Sequence, residues 1–183
     1  MQAILLGLIA LLGFVLLFGK KEHYVYKAGN TFLGKRILQS LKPYNSIIEY
    51  WAKRYNIDPD LVRAIIWQES KGDPYAVNKR TGDYGLMQIN LRFASTSARI
   101  LGLLGLPPGV AQATVRTMLF DPNINVMIGT WLLRDELNYF KDIVKAIHAY
   151  RLGRPKVLRG ERDWKYVNNV LYFYNSIKKA RGA

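Results

Sequence analysis

Four aspartates constrain the fold of this chain more than any other feature. Asp58 and Asp121 are each followed by proline, and Asp142 and Asp163 each precede an apolar-periodic run. An N-cap aspartate accepts a hydrogen bond from a backbone N–H of the first helical turn. Proline suits the position after it, where its missing N–H leaves nothing unpaired. The helix opened by Asp58 carries Leu61, Val62, Ile65 and Ile66, then Glu69, and stops near Gly72. Asp121 opens a helix through Tyr139, Asp142 one to about Tyr150, and Asp163 one to about Lys179. Two further helices are expected, from Pro43 to about Tyr55 with Ile47, Ile48 and Trp51 on one face, and between Leu91 and Leu103 before the breaker Gly105-Leu106-Pro107-Pro108-Gly109. Asp73 to Tyr84 reads as a loop with a small β-hairpin around Thr81-Gly82, and residues 151–162 as a basic loop. The predicted class is mainly α, with minimal β.

The N-terminus is of another kind. Ala3 to Gly19 contains no charge and no polar face, and at about 1.5 Å per residue such a helix spans most of the ~30 Å hydrocarbon core of a bilayer. A cleaved signal peptide fits less well. No Lys or Arg precedes the run, and Phe18-Gly19-Lys20-Lys21 offers no small-x-small cleavage site. A buried soluble helix fits least. The expected organisation is a single transmembrane anchor over 1–19, a linker or stalk over 20–42 and one catalytic-size domain over 43–183. Lys20, Lys21, Lys27, Lys35 and Arg36 follow the span, so the positive-inside rule puts the domain on the cytoplasmic side.

The chain has 183 residues, a formal net charge of +14 and no cysteine. The last excludes disulfides and thiolate metal sites. His23 and His148 are isolated, so neither a metal site nor a cofactor is expected. The positive charge favours polyanions: nucleic acid, anionic lipid or acidic wall polymers. No phosphate loop, stacking signature or helix-turn-helix supports nucleic acid as the partner. Arg151, Arg154, Lys156, Arg159, Arg162 and Lys165 form a basic stretch, whose default reading is a solvated face.

Glu69 sits near the C-terminal end of an apolar helix. Burial and the negative end of the helix dipole both disfavour its carboxylate and raise its pKa. A carboxylic acid still protonated near neutral pH can protonate a glycosidic oxygen. Sixteen residues on comes Gly85-Leu86-Met87-Gln88-Ile89-Asn90. Glu69-Ser70 together with this block, in the stretch IIWQESKGDPYAVNKRTGDYGLMQIN, resembles the lytic transglycosylases of the soluble-lytic-transglycosylase type, a branch of the lysozyme superfamily. YNIDPDLVRAIIWQES and FDPNINVMIGTWLLRDEL resemble the same family's flanking helices, and the resemblance covers about residues 45–175.

The resemblance implies a lysozyme-like domain that cuts peptidoglycan glycan strands. It makes Glu69 the general acid and then the base, with Ser70 hydrogen-bonding near it, and Met87 and Gln88 lining the glycan groove. Tyr166 matches the family tyrosine that hydrogen-bonds the acid. The family block Ala-Tyr-Asn-x-Gly stands here as Ala149-Tyr150-Arg151-Leu152-Gly153. Arg151 thus replaces an asparagine that holds the sugar, and either binds a muramyl carboxylate or is solvated. Asp83 also resembles the second carboxylate of c-type lysozymes. It is a nucleophile, an electrostatic stabiliser or a turn residue. A retaining hydrolase needs two carboxyls close together, whereas a lytic transglycosylase uses one, with the 6-hydroxyl of N-acetylmuramic acid attacking the anomeric carbon.

The flanking blocks favour the transglycosylase, which cleaves the MurNAc–GlcNAc β-1,4 bond and leaves 1,6-anhydromuramic ends. The alternatives are a lysozyme-type hydrolase using Glu69 and Asp83, and a catalytically weak glycan- or nucleic-acid-binding membrane protein. The expected partners are glycan strands, the bilayer through residues 1–19, and components of a virion or secretion complex. A wall-cutting domain facing the cytoplasm has no substrate there, so a phage virion or assembly enzyme fits the charge asymmetry, in a virion membrane or the bacterial inner membrane.

Overall fold

The computed structural model describes residues 28–91 and 94–182; the apolar run 1–19 lies outside them. All four expected aspartate caps form. Asp58 Oδ1 accepts from Asp60 N–H (2.8 Å), Asp121 Oδ1 from Ile124 N–H (3.0 Å), Asp142 Oδ1 from Val144 N–H (2.8 Å) and Asp163 Oδ1 from Tyr166 N–H (3.0 Å). In chain order the helices are α1 (Thr31–Ser40), α2 (Asn45–Arg54), α3 (Pro59–Glu69), α4 (Ala94–Leu103), α5 (Gln112–Met118), α6 (Pro122–Phe140), α7 (Ile143–Leu152), α8 (Arg154–Leu158) and α9 (Trp164–Ala180). A 3-10 turn, Lys42–Tyr44, joins α1 to α2, so the helix expected from Pro43 starts with a tighter turn.

The axis of the domain is α3. Leu61, Val62, Ala64, Ile65, Ile66 and Trp67 are all buried, so the helix is buried around its whole circumference, as a central core element must be. Each such large side chain taken from water contributes about 1.5–3 kcal/mol. The same helix carries a fully buried Arg63. Its Nη1 donates to Asp60 Oδ1 (2.9 Å), its Nε and Nη2 to Asn45 Oδ1 (3.3 and 3.2 Å), and it pairs with Glu49. A buried guanidinium is tolerable only when its donors are satisfied in this way, and the pairings fasten α3 to α2.

α9 packs most extensively on α1 and α3, and α6 on α7 and α2. The expectation of a stalk over 20–42 is therefore corrected in its second half. α1 belongs to the domain: Ile37 and Leu41 are fully buried, Asn30 caps the helix by accepting from Leu33 N–H (2.9 Å), and Asn30 N–H donates to Ser176 Oγ (3.0 Å). At Gly34 any Cβ would collide with the Ser176 carbonyl of α9, so this closest approach of the two helices requires glycine.

Other boundaries shift as well. The segment around 81–82 is a three-stranded antiparallel sheet of two-residue strands, β1 (Val77–Asn78), β2 (Asp83–Tyr84) and β3 (Ile89–Asn90), rather than one hairpin. α5 and α8 were not expected; α8 lies inside the supposed basic loop. Most of that loop's cations are engaged. Arg154 Nε donates to Glu136 Oε2 (3.0 Å), Arg159 Nη2 to Glu161 Oε1 (3.0 Å) and Arg162 Nη1 to the Val157 carbonyl (2.9 Å). No helix among the described residues is long and apolar enough to cross a membrane.

Candidate active site

Glu69 is the last residue of α3 and lines a cleft of about 350 Å³. Three short segments build the walls. The sheet register pairs Asn78 with Asp83 and Asp83 with Asn90. Directly opposed residues share a face, and Asn78 and Asp83 both line the cleft. From the GLMQIN block comes Gln88, and from the α7 end and the α9 start come Arg151, Asp163, Lys165 and Tyr166.

The charge state of Glu69 follows from this setting. Burial, the largest cause, pushes its pKa up to about 7, and the Asp83 charge pushes the same way. The Tyr166 hydroxyl and the cations of Arg151 and Lys71 oppose the rise. Tyr166 donates its O–H to Glu69 Oε1 at 2.5 Å. Burial first, and Glu69 next, hold the Tyr166 phenol well above its ordinary pKa, so it stays a donor. Lys71 Nζ donates to the Trp67 carbonyl (2.6 Å) in the last turn of α3 and lies over the Trp67 and Phe173 rings. A cation there offsets the negative helix end on which Glu69 sits.

Asp83 is 8% exposed. One of its oxygens accepts from Thr81 Oγ1 and the other from Asn90 Nδ2. Its carboxyl is thereby fixed in the cleft, on strand β2. Ser70 does not bond the acid. Its Oγ donates to the Leu86 carbonyl (2.8 Å) and accepts from Gly72 N–H (3.1 Å), stitching the end of α3 to the GLMQIN block. Gln88 has left-handed backbone (φ +50°), a conformation that costs a non-glycine residue about 1 kcal/mol. Its Nε2 donates to the Ala76 and Gly85 carbonyls, both at 3.0 Å, which locks that conformation.

Met87 departs from its expected place in the groove. Its side chain is fully buried, and its backbone does the positioning: the N–H donates to Asn125 Oδ1 (2.7 Å) and the carbonyl accepts from Tyr150 O–H (2.8 Å). Tyr150 thus supports the loop from behind. Among the described residues no group of three or more His, Cys, Asp or Glu is placed to hold a metal ion. His148 is buried beside α9, its Nδ1 accepts from Asp163 N–H (3.1 Å), and burial lowers its pKa to about 4.

The family described as Transglycosylase SLT domain matches residues 46–170, a stretch that holds every site residue named above. The chain belongs to the SLT transglycosylase family. Its relatives include the membrane-bound lytic murein transglycosylase E of Buchnera aphidicola (strain APS), 34% identical over 83% of this chain and 62% of that one. Another is the transglycosylase of Enterobacteria phage PRD1, 30% identical over 64% of this chain and 38% of that protein. The chain thus spans less than two thirds of the length of either. Among solved structures, the 70 kDa soluble lytic transglycosylase of Escherichia coli shares the fold, with a TM-score of 0.60 at 24% identity over 76% of this chain and 24% of that one.

Within the SLT domain Asn125 is the support that sequence reasoning did not single out. It is fully buried on α6. Besides accepting from Met87 N–H, its Nδ2 donates to the Tyr84 and Leu119 carbonyls, both at 2.8 Å. Gly85, with φ +76°, leaves it room: a Cβ there would collide with the Asn125 amide. Asn125→Ala strands three backbone groups, two of them buried. The expected loss is about 2–4 kcal/mol of stability, read from urea unfolding.

Asn78, Asp163 and Lys165 were also missed as cleft residues. Asn78 meets Asp83 because four residues, 79–82, connect the strands, two more than the tight turn at Thr81-Gly82 read from the sequence.

Proposed function

We propose that the chain is a peptidoglycan lytic transglycosylase that cleaves the MurNAc–GlcNAc β-1,4 bond and leaves 1,6-anhydromuramic ends. The observation that carries this reading is Glu69, held near neutral pKa in the cleft by burial and hydrogen-bonded by Tyr166. Protonated Glu69 gives its proton to the glycosidic oxygen as that bond breaks. The resulting Glu69 carboxylate then takes the proton of the muramyl 6-hydroxyl as its oxygen bonds to the anomeric carbon. No water is consumed. Both Asp83 oxygens already accept hydrogen bonds, which suits a fixed charge that stabilises an oxocarbenium-like state better than a nucleophile.

Mass spectrometry of released muropeptides tests the mechanism. Wild type should give anhydro ends, lighter by one water than hydrolysis products, and Asp83→Asn should slow the reaction about 10–100-fold without abolishing it. Reducing ends from wild type, with an inactive Asp83→Asn, would make the enzyme a lysozyme-type hydrolase.

The proposed enzyme is membrane-attached through residues 1–19, in a virion membrane or the bacterial inner membrane, with virion or secretion-complex components as its protein partners. The uninterrupted apolar run supports the attachment, and the phage relative is in keeping with a virion. Full-length protein should sediment with membranes, and the chain lacking 1–19 should stay in the supernatant. Equal sedimentation of both would remove the anchor from the proposal.

A further inference from the structure

Arg151, on the last turn of α7, is unusually well prepared for a ligand. Its guanidinium lies over the Tyr166 ring, 5.5 Å from the centroid, and its Nε is 3.6 Å from Asp163 Oδ2. Asp163 is itself held by its cap bond to Tyr166 N–H and by donating its own N–H to His148. The two Nη groups of Arg151 have no hydrogen-bond partner among the described residues, and the side chain is 38% exposed in the cleft. Lys165 lines the same cleft and forms no ion pair among the described residues. The neighbouring cations Arg154, Arg159 and Arg162 are bonded elsewhere.

A guanidinium lying over a ring and beside a carboxylate at 3.6 Å has less side-chain freedom to lose than a fully solvated one. Its paired Nη groups form the fork that matches a carboxylate, and a lysine adds a point charge without that geometry.

We propose that Arg151, assisted by Lys165, is a carboxylate-recognition site inside the cleft, so that the enzyme selects glycan whose muramic acid presents a free carboxylate. This rests on the glycan-cleaving reading above. The carboxylate has two sources: the lactyl group of a strand stripped of its peptides, or the peptide stem itself. A neutral or amidated strand leaves the guanidinium unmatched.

The test compares kcat/KM of the full-length protein on four substrates at one pH: peptide-free strands with free lactyl carboxylates, the same strands converted to methylamides, peptide-bearing strands, and peptide-bearing strands with their peptide carboxylates amidated. Arg151 also acts on Glu69, so the readout is the ratio between charged and neutralised substrate, in which a change in Glu69 cancels. Wild type should prefer the charged member of one pair by about tenfold or more, mainly through KM; which pair shows it identifies the source. Arg151→Asn should bring that ratio close to one, Arg151→Lys should restore part of it, and Lys165→Met should reduce it less than Arg151→Asn.

Equal rates on charged and neutralised strands by wild type overturn the proposal without need of any variant. So does an Arg151→Asn that slows all four substrates by the same factor. Failure to cleave any of the four by wild type would instead remove the glycan-cleaving reading.

Discussion

Glu69→Gln should leave a folded protein whose glycan cleavage is at least about a thousandfold slower. The amide keeps the shape and can still accept from Tyr166, but it has no proton to transfer, and both proposed steps pass through that proton. Release of soluble muropeptides from purified peptidoglycan measures the rate, and circular dichroism the fold. Activity within tenfold of wild type would remove Glu69 from the mechanism.

The raised pKa adds two pH effects with definite signs. The first step needs the protonated acid, so wild-type activity should fall as pH rises through about 7. Between the ordinary carboxyl pKa and about 7 the folded state holds a proton that the unfolded chain has released, so this group costs stability as pH rises across that window. Glu69→Gln lifts the cost. The variant should be more stable than wild type at pH 8, by on the order of 1–3 kcal/mol, and the gain should vanish near pH 4.

The second large effect concerns where the domain begins. A chain starting at residue 43, the boundary expected from composition, lacks α1 and with it Ile37, Leu41 and the Asn30–Ser176 link. The two apolar side chains alone account for about 3–6 kcal/mol, and the α9 and α3 surfaces they cover become wet. Set against a typical total of about 5–15 kcal/mol, that loss should leave the fragment unfolded or without a cooperative melt at 25 °C. A chain starting at residue 28 should melt within a few degrees of the full-length protein. Matching thermal transitions for the two fragments would show that α1 is dispensable.

What could be read from the sequence was local. An aspartate before a helical run needs only its own first turn to act as a cap, so Asp58, Asp121, Asp142 and Asp163 were legible. The environment of Glu69 followed from its helix end in the same way. The α1 helix was legible too, through the Asn30 cap and the four-residue spacing of Leu33, Ile37 and Leu41, but the surrounding Lys, Gly and Asn disguised it as a linker.

What escaped was set by partners far along the chain. Met87 turns inward because Asn125, 38 residues on, takes its N–H, and Tyr150, 63 residues on, takes its carbonyl. No period encodes such pairs. The Tyr166 bond to Glu69 spans 97 residues and was anticipated only through family resemblance.

The tight seat of α1 on α9 has a mechanical consequence. Residues 29–34 meet α9 around Asn175 to Ala180, whereas Tyr166 at the other end of the same helix faces the cleft. From Tyr166 to Ser176 the helix is one rigid strut of about 15 Å. If residues 1–19 are fixed in a bilayer, nothing in α1 or α9 offers a hinge between the strut and the cutting edge. On the membrane attachment proposed above, the offset between the α1 seat and the cleft would then be fixed by the length of one helix.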